Sequence, residues 1–314
     1  MAQPKRDFLT LSDWPRDELS ALLDMAGRLK GQLATGTPHT HLAGKTLGMI
    51  FEKASTRTRV SFEVGMYQLG GHALHLSGRD LQLGRGETLE DTAAVLSRYI
   101  DGIVIRTFGH DKLEALARAA TVPVINGLTD EFHPCQVLTD LFTLKERFKT
   151  LRGLPVAYVG DGNNMCHSWL IGAAAFGVDF RVATPAGYAP NPRIVEHAEA
   201  LAATSGARIT VGDDPVAAVS GALAVHTDTW VSMGDEGSES QRYAAFQAFR
   251  VDQALMADAD SKAVFMHCLP AHRGDEVTAS VLDGPQSIIF EQAENRLHVQ
   301  KAILVRLLEA SRST

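Results

Sequence analysis

The sequence predicts an α/β protein made of two doubly wound parallel-sheet domains linked by helices. Three observations carry this. Short apolar strands alternate with amphipathic helices along the chain, a pattern that implies parallel sheets wound in right-handed units. The alternation pauses at one long helical segment, HPCQVLTDLFTLKERF, and restarts at LPVAYVG. The length of 314 residues suits about two domains of ordinary size. The expected boundaries are 1–148 for the first domain and 149–295 for the second.

Taken in order, Ser12 and Asp13 precede Leu19, Leu22, Leu23, Ala26 and Leu29, whose spacing describes a capped amphipathic helix. KTLGMIF is a strand that runs into STRTRVSFEVGMYQLGG, a helix with Phe62, Met66 and Leu69 on one face and Gly70-Gly71 at its close. Thr88 with Asp91 has the form of a capping box, opening a helix with Leu89, Ala93 and Leu96 as its apolar stripe. DGIVIR and VPVIN are strands on either side of the helical KLEALARAA, and the long helix follows. In the second half LPVAYVG, FRVATP, ARITV, ALAVHTDTW and AVFMHCLP are strands. MCHSWLIGAAAFG, RIVEHAEALAATSG and HVQKAILVRLLEA are helices. No internal repeat or low-complexity segment interrupts the series.

Composition narrows the function. Hydrophobic residues at 45% and charged residues at 21% supply a sizeable core and exclude global disorder. Thirty Lys+Arg against 37 Asp+Glu leave a net charge of −7, which argues against nucleic acid as a partner. A local pocket for a small anion remains compatible with it, because local fields can oppose net charge. Cysteines Cys135, Cys166 and Cys268 are odd in number, and MAQPKRDFLTLSDWPRDELS lacks the apolar core of a secretory leader. A cytoplasmic, reducing location is therefore expected. No uninterrupted apolar run reaches about 18 residues, so no membrane span is expected. Neither C-x-x-C nor H-x-x-x-H occurs, so no metal site is expected.

In wound parallel sheets, ligands bind just beyond the carboxyl ends of strands, where the strand order reverses. Ser55-Thr56-Arg57-Thr58-Arg59 falls where a strand ends and a helix begins. Unpaired N–H groups there suit a phosphate, and an arginine adds a bidentate contact. Arg57 and Arg59, two apart on a helix, point to opposite sides, so one of them can face a ligand. The same residues also suit an ordinary N-cap with exposed arginines. Arg106 ends the strand DGIVIR and is either a solvated edge residue or a second clamp on the anion. His133 and Gln136 open another helix after a strand, although a lone histidine is more often structural.

GDGNN at 160–164 invites comparison with the dinucleotide fingerprint, but its third glycine would fall at Met165. A nicotinamide dehydrogenase is set aside on that ground. The Asn163-Asn164 pair offers neutral amides to a polar substrate. Asp228 ends ALAVHTDTW, ahead of Ser232-Met233-Gly234, and Cys268 ends another strand, where a small buried hydrophobe is an equal reading.

Together FEKASTRTRVSFEVG, LQLGRGETLEDTA, FHPCQVLTD, DTWVSMG and HCLPAHRGDEV resemble the aspartate/ornithine carbamoyltransferase superfamily, in order and over nearly the whole chain. STRTR and HPxQ look like the shared carbamoyl-phosphate signature, and DTWVSMG and HCLP look like the ornithine branch. The resemblance implies a carbamoyl-phosphate domain, with the final helix (296–314) folded back on it, and an ornithine domain. It implies a homotrimer, or an assembly of trimers, and transfer of a carbamoyl group to the δ-amine of L-ornithine in arginine biosynthesis. No cofactor is implied.

Carried over by residue, Ser55, Thr56, Arg57 and Thr58 would bind the phosphate. Arg106, His133 and Gln136 would hold the phosphate and carbonyl end, and Arg296 would complete that site. Gln82 would reach in from a neighbouring subunit. Asn164, Asp228, Ser232 and Met233 would hold ornithine. Cys268 would sit beside the δ-amine, with the Cys268 and Leu269 backbone near the carbamoyl group. Arg57, Arg106, His133 and Cys268 are the expected catalytic set. Two alternatives bear on the same residues. A relative acting on putrescine or N-acetylornithine is disfavoured by Asp228 and the 232–234 loop, which suit a free amino-acid head group. A silent regulatory paralogue predicts losses at Arg57, Arg106, His133 or Cys268, and all four are present. Finally, Pro270 directly after a strand suggests a cis peptide.

Overall fold

A computed structural model describes residues 5–77, 86–231, 237 and 239–309. Gln82, Ser232 and Met233 lie outside the described residues. The chain divides into two compact units: unit 1 runs to Phe142 and resumes at Glu294, and unit 2 is Thr143–Ala293.

Unit 1 holds α1 (Arg16–Ala34), β1 (Thr46–Phe51), α2 (Thr56–Gln68), β2 (His72–Ser77), α3 (Leu89–Tyr99), β3 (Gly102–Arg106), α4 (His110–Ala119) and β4 (Val124–Leu128). Its four strands form a parallel sheet in the order β2-β1-β3-β4. The border with unit 2 falls inside α5 (Pro134–Phe148). Unit 2 contains β5 (Pro155–Val159), α6 (Asn164–Phe176), β6 (Asp179–Ala183), α7 (Pro192–Ser205), β7 (Arg208–Gly212), α8 (Pro215–Val219) and β8 (Ala224–Thr227). It continues with α9 (Glu239–Phe246), α10 (Gln253–Ala257), β9 (Val264–His267) and α11 (Ala279–Leu282). Its five strands are parallel, in the order β7-β6-β5-β8-β9. The second border falls inside α12 (Ile289–Leu308).

Leu19, Leu22, Leu23, Ala26 and Leu29 are the buried stripe of α1. Its capping differs from the sequence expectation. Pro15 occupies the cap position and makes no side-chain cap bond, while Asp13 accepts from the Thr10 N–H at 2.8 Å. The proline has already set an extended entry and removed a donor, so Ser12 and Asp13 close the preceding turn instead. In α3, Thr88 does cap, accepting from the Asp91 N–H, but Leu89 and Leu96 are half-buried against the core around Ala93.

β2 escapes the sequence reading because it is an edge strand bonded on one side, largely exposed, with His72 and His75 breaking its apolar pattern. α12 starts at Ile289, well before His298. In unit 2, Trp169 stacks on Phe180 at 5.4 Å between centroids, and Tyr158 on His226 at 5.7 Å.

One buried cation has a measurable consequence. Lys301, on α12 in unit 1, donates to Gln68 Oε1 at 2.9 Å and lies 3.2 Å from His39 Nε2. Burial pushes its amine down to about 8. Between about pH 8 and the ordinary lysine value near 10.4, the unfolded chain therefore binds more protons than the folded one. Stability should rise with pH across that window, by up to about 1.4 kcal/mol per unit. Urea denaturation at stepped pH is expected to show this rise in the wild type and to lose it in Lys301→Met. Equal slopes in the two proteins would contradict the assignment.

Candidate active site

Each unit carries a cluster at the place its topology favours. In unit 1 the strand order reverses between β1 and β3, so the crevice for a ligand opens at their carboxyl ends. Ser55–Thr58 follow β1, and Arg106 ends β3. Ser55 caps α2 with an extended backbone, and its Oγ accepts from the Thr58 N–H at 3.3 Å. The hydroxyl is thus an N-cap whose own proton stays available to a ligand.

The two arginines of STRTR part as helical geometry requires. Arg59 is exposed and pairs with Glu63 one turn on, at 2.9 Å. Arg57 is half-buried and acts on His133. Arg106 is not a solvated edge residue: β3 lies between β1 and β4, and Arg106 is buried. The register shifts beside it: Ile105 faces Asn126 and Arg106 faces Leu128, so Gly127 of β4 is passed over.

His133 is buried, and its pKa is held well below the ordinary value. Burial is the largest cause, followed by the guanidinium charges of Arg296, Arg106 and Arg57. The imidazole is therefore neutral near pH 7, with one nitrogen donating and the other accepting. Arg296 arrives from α12: its Nη2 donates to Thr58 Oγ1 at 2.7 Å, and its Nη1 donates to Gln136 Oε1. Gln136 Nε2 in turn donates to Asp140 Oδ1 at 2.7 Å. Arg57, Thr58, Arg106, His133, Gln136 and Arg296 therefore form one cluster rich in positive charge. Thr56 is exposed beside it, on a cleft of about 1050 Å³ that Lys53, Ser55, Arg59, His75 and Lys112 also line.

In unit 2 the order reverses between β5 and β8. Asn163 and Asn164 follow β5, Asp228 follows β8 and Cys268 follows β9. The Asn163 amide does not offer itself to a substrate, contrary to the sequence expectation. Its Oδ1 caps α6, accepting from the N–H groups of Met165 (2.9 Å) and Cys166 (3.3 Å) and from the Tyr158 hydroxyl (3.2 Å). Its Nδ2 donates to Asp228 Oδ2 at 2.8 Å. Asn164, half-buried, is the first residue of α6.

Cys268 is half-buried, and its thiol donates to Asp228 Oδ1 at 3.1 Å, so it is more than a packing group. Leu269 is left-handed (φ 60°), and the Leu269–Pro270 peptide is cis. The Leu269 N–H donates to His267 Nδ1 at 2.9 Å, and His267 Nε2 lies 3.2 Å from Glu276 Oε1. Since Nδ1 accepts, Nε2 carries the proton and donates to Glu276. His267 and Glu276, both buried, brace the turn that carries Cys268 and Leu269, and sequence reading missed them; their sole signal was their place inside MHCLP and HRGDE.

The ligating atoms of Asp228, His267 and Cys268 lie within 4.8 Å of one another. Both ring nitrogens of His267 are already in hydrogen bonds, which leaves that imidazole no lone pair for a metal. Gly162 explains why GDGNN is not a nucleotide fingerprint. A Cβ there would stand 2.3 Å from Pro190 N, so the glycine admits this chain's own 188–190 segment.

Residues 6–146 match the family model "Aspartate/ornithine carbamoyltransferase, carbamoyl-P binding domain". The companion model, "Asp/Orn binding domain", matches residues 152–307. The ornithine carbamoyltransferase of Anoxybacillus flavithermus is 56% identical over 303 residues, covering 96% of each chain. That of Symbiobacterium thermophilum is also 56% identical, covering 96% of this chain and 98% of its own. Among solved structures, ornithine carbamoyltransferase from Pyrococcus furiosus superposes with a TM-score of 0.95 at 50% identity, over 98% of both chains. The anabolic ornithine carbamoyltransferase from Campylobacter jejuni gives 0.91 at 45% identity, over 96% of this chain and 98% of that one.

Proposed function

The chain belongs to the aspartate/ornithine carbamoyltransferase family, and from that premise we propose that it transfers the carbamoyl group of carbamoyl phosphate to the δ-amine of L-ornithine, giving L-citrulline and phosphate. The observation that carries the reading is the cationic cluster at the unit 1 switch point, three guanidinium groups around a neutral histidine. It is the arrangement a small phosphorylated dianion requires.

In this reaction the amine nitrogen forms a bond to the carbamoyl carbon, the bond from that carbon to the bridging phosphate oxygen breaks, and the amine sheds a proton. An alkyl amine has a solution pKa near 10.4, so on the order of one molecule in a thousand is neutral at pH 7. Asp228, with the Cys268 thiol hydrogen-bonded to it, is the group of unit 2 that can take the proton the amine sheds, and the departing phosphate is a further proton acceptor. Ser55, Thr56, Arg57, Thr58 and Arg296 bind the phosphate. Arg106, His133 and Thr58 donate to the carbonyl oxygen as its charge grows. Gln136, whose Oε1 keeps a second lone pair, accepts from the carbamoyl N–H. Asn164, Asp228 and the 232–233 loop hold the amino acid, with the Cys268 and Leu269 backbone beside the carbamoyl group. Holding two small ligands in line is worth about 7–11 kcal/mol by itself.

The protein works in arginine biosynthesis in the cytoplasm, as a homotrimer or an assembly of trimers in which Gln82 serves a neighbour's site. Likeness to the anabolic ornithine carbamoyltransferase of Campylobacter jejuni supports the direction. Exposed Val60, Val64 and Tyr67 at helical spacing on α2 support burial against another subunit. Among the described residues no helix is long and apolar enough to cross a membrane.

A colorimetric citrulline assay tests the reading. Carbamoyl phosphate with ornithine is expected to yield citrulline, while putrescine, N-acetylornithine and aspartate yield no carbamoylated product. A product from another amine would overturn the substrate, and no product from any amine in folded protein would overturn the activity.

A further inference from the structure

Arg296 is buried, its charge acts on His133, and its Nη2 and Nη1 donate to two uncharged oxygens, Thr58 Oγ1 and Gln136 Oε1. The carboxylate of Asp140 stands one amide away. It lies one helical turn after Gln136 on α5, fully buried, with Oδ1 2.7 Å from Gln136 Nε2. We propose that Asp140 is a positioning residue of the anion site, acting through Gln136 to fix the Arg296 guanidinium.

The logic lies in the amide's polarity. A carboxylate only accepts and a guanidinium only donates, so between them Gln136 has a single orientation, NH₂ toward Asp140 and carbonyl toward Arg296. Asp140 thereby anchors the acceptor on which one Nη of Arg296 rests, while Thr58, on the first turn of α2, receives the other. A carboxylate placed directly on Arg296 would compete with the incoming phosphate. Set behind the amide, Asp140 orders the cation through a neutral group. The relay therefore pre-organises a cation drawn from α12 against residues of α2 and α5 before ligand arrives.

The inference rests on reading this cluster as the carbamoyl-phosphate site, so its test uses a probe independent of turnover. Calorimetric titration with inorganic phosphate is expected to show Asp140→Ala weakening the Kd by about tenfold or more, because the buried Gln136 amide loses its acceptor and its fixed orientation. Asp140→Asn, whose carbonyl can still accept from Nε2, should stay within about threefold of wild type. In steady state, Asp140→Ala should raise KM for carbamoyl phosphate in parallel and leave KM for ornithine unchanged. A wild-type Kd in Asp140→Ala, or an Asp140→Asn as weak as it, would overturn the proposal.

If Asp140→Ala does not fold, Gln136→Glu and Gln136→Glu/Asp140→Asn carry the test. The single variant sets two carboxylates together and should bind phosphate poorly, and the second change should recover at least tenfold of the loss. No recovery would overturn the proposal. Absence of citrulline formation by wild-type protein, with this phosphate pattern intact, would instead overturn the functional reading and leave the role of Asp140 standing.

Discussion

Arg57→Ala is expected to fold like the wild type and to lose roughly 10³ in kcat/KM for carbamoyl phosphate, the scale of removing one pre-organised charge donor. Three features of the site set this expectation. Arg57 lies on the first turn of α2, where the freed N–H groups at the helix start already favour an anion. It is half-buried, so its charge is screened less than that of exposed Arg59. Its charge adds to burial and to the other two guanidinium groups in holding the His133 pKa down, so its loss also perturbs the histidine proposed as a donor to the carbonyl oxygen. Arg59→Ala serves as the control, since Arg59 pairs with Glu63 outside the cluster. Circular dichroism checks folding and steady-state kinetics give the ratio. An Arg57→Ala enzyme within threefold of wild type would remove this arginine from the mechanism.

Asp228→Asn is expected to reduce kcat/KM for ornithine by about 30-fold to several thousandfold, the range for losing one member of a desolvated charge pair worth 2–5 kcal/mol. Asp228 is buried at the end of β8, and its two carboxylate oxygens accept from Asn163 Nδ2 and the Cys268 thiol. Both donors are neutral, so the negative charge stays uncompensated within that trio and is available to a substrate ammonium or to a shed proton. The asparagine keeps the shape, and KM for carbamoyl phosphate should change by less than threefold. An unchanged ornithine kcat/KM would assign Asp228 to structure alone.

Much of the placement of both candidate clusters is legible in the sequence because a strand-end position is a local property. Ser55, Arg106, Asp228 and Cys268 each stand where an apolar run stops, and a wound sheet places its ligand groups there whatever the rest of the chain does. Where residues are spoken for by distant groups, local pattern misleads. Asn163 reads as an amide offered to substrate, yet Asp228, 65 positions on, takes its NH₂. Ser12 and Asp13 read as caps until Pro15 is seen to hold that place.

By itself, the sequence determined the alternation of strands and helices, the two-part organisation, the family and the residue types at the strand ends. These follow from periodicity, turn chemistry and motif order, all written within a few residues of one another. The tertiary structure decided which distant residues complete each cluster. Arg296 reaches Gln136 across 160 positions and Thr58 across 238, and His133 is neutral because it is buried and because three arginines from separate elements add their charge. Its protonation is a property of summed burial and Coulomb energy in space, and no local pattern encodes a sum over groups that only folding brings together.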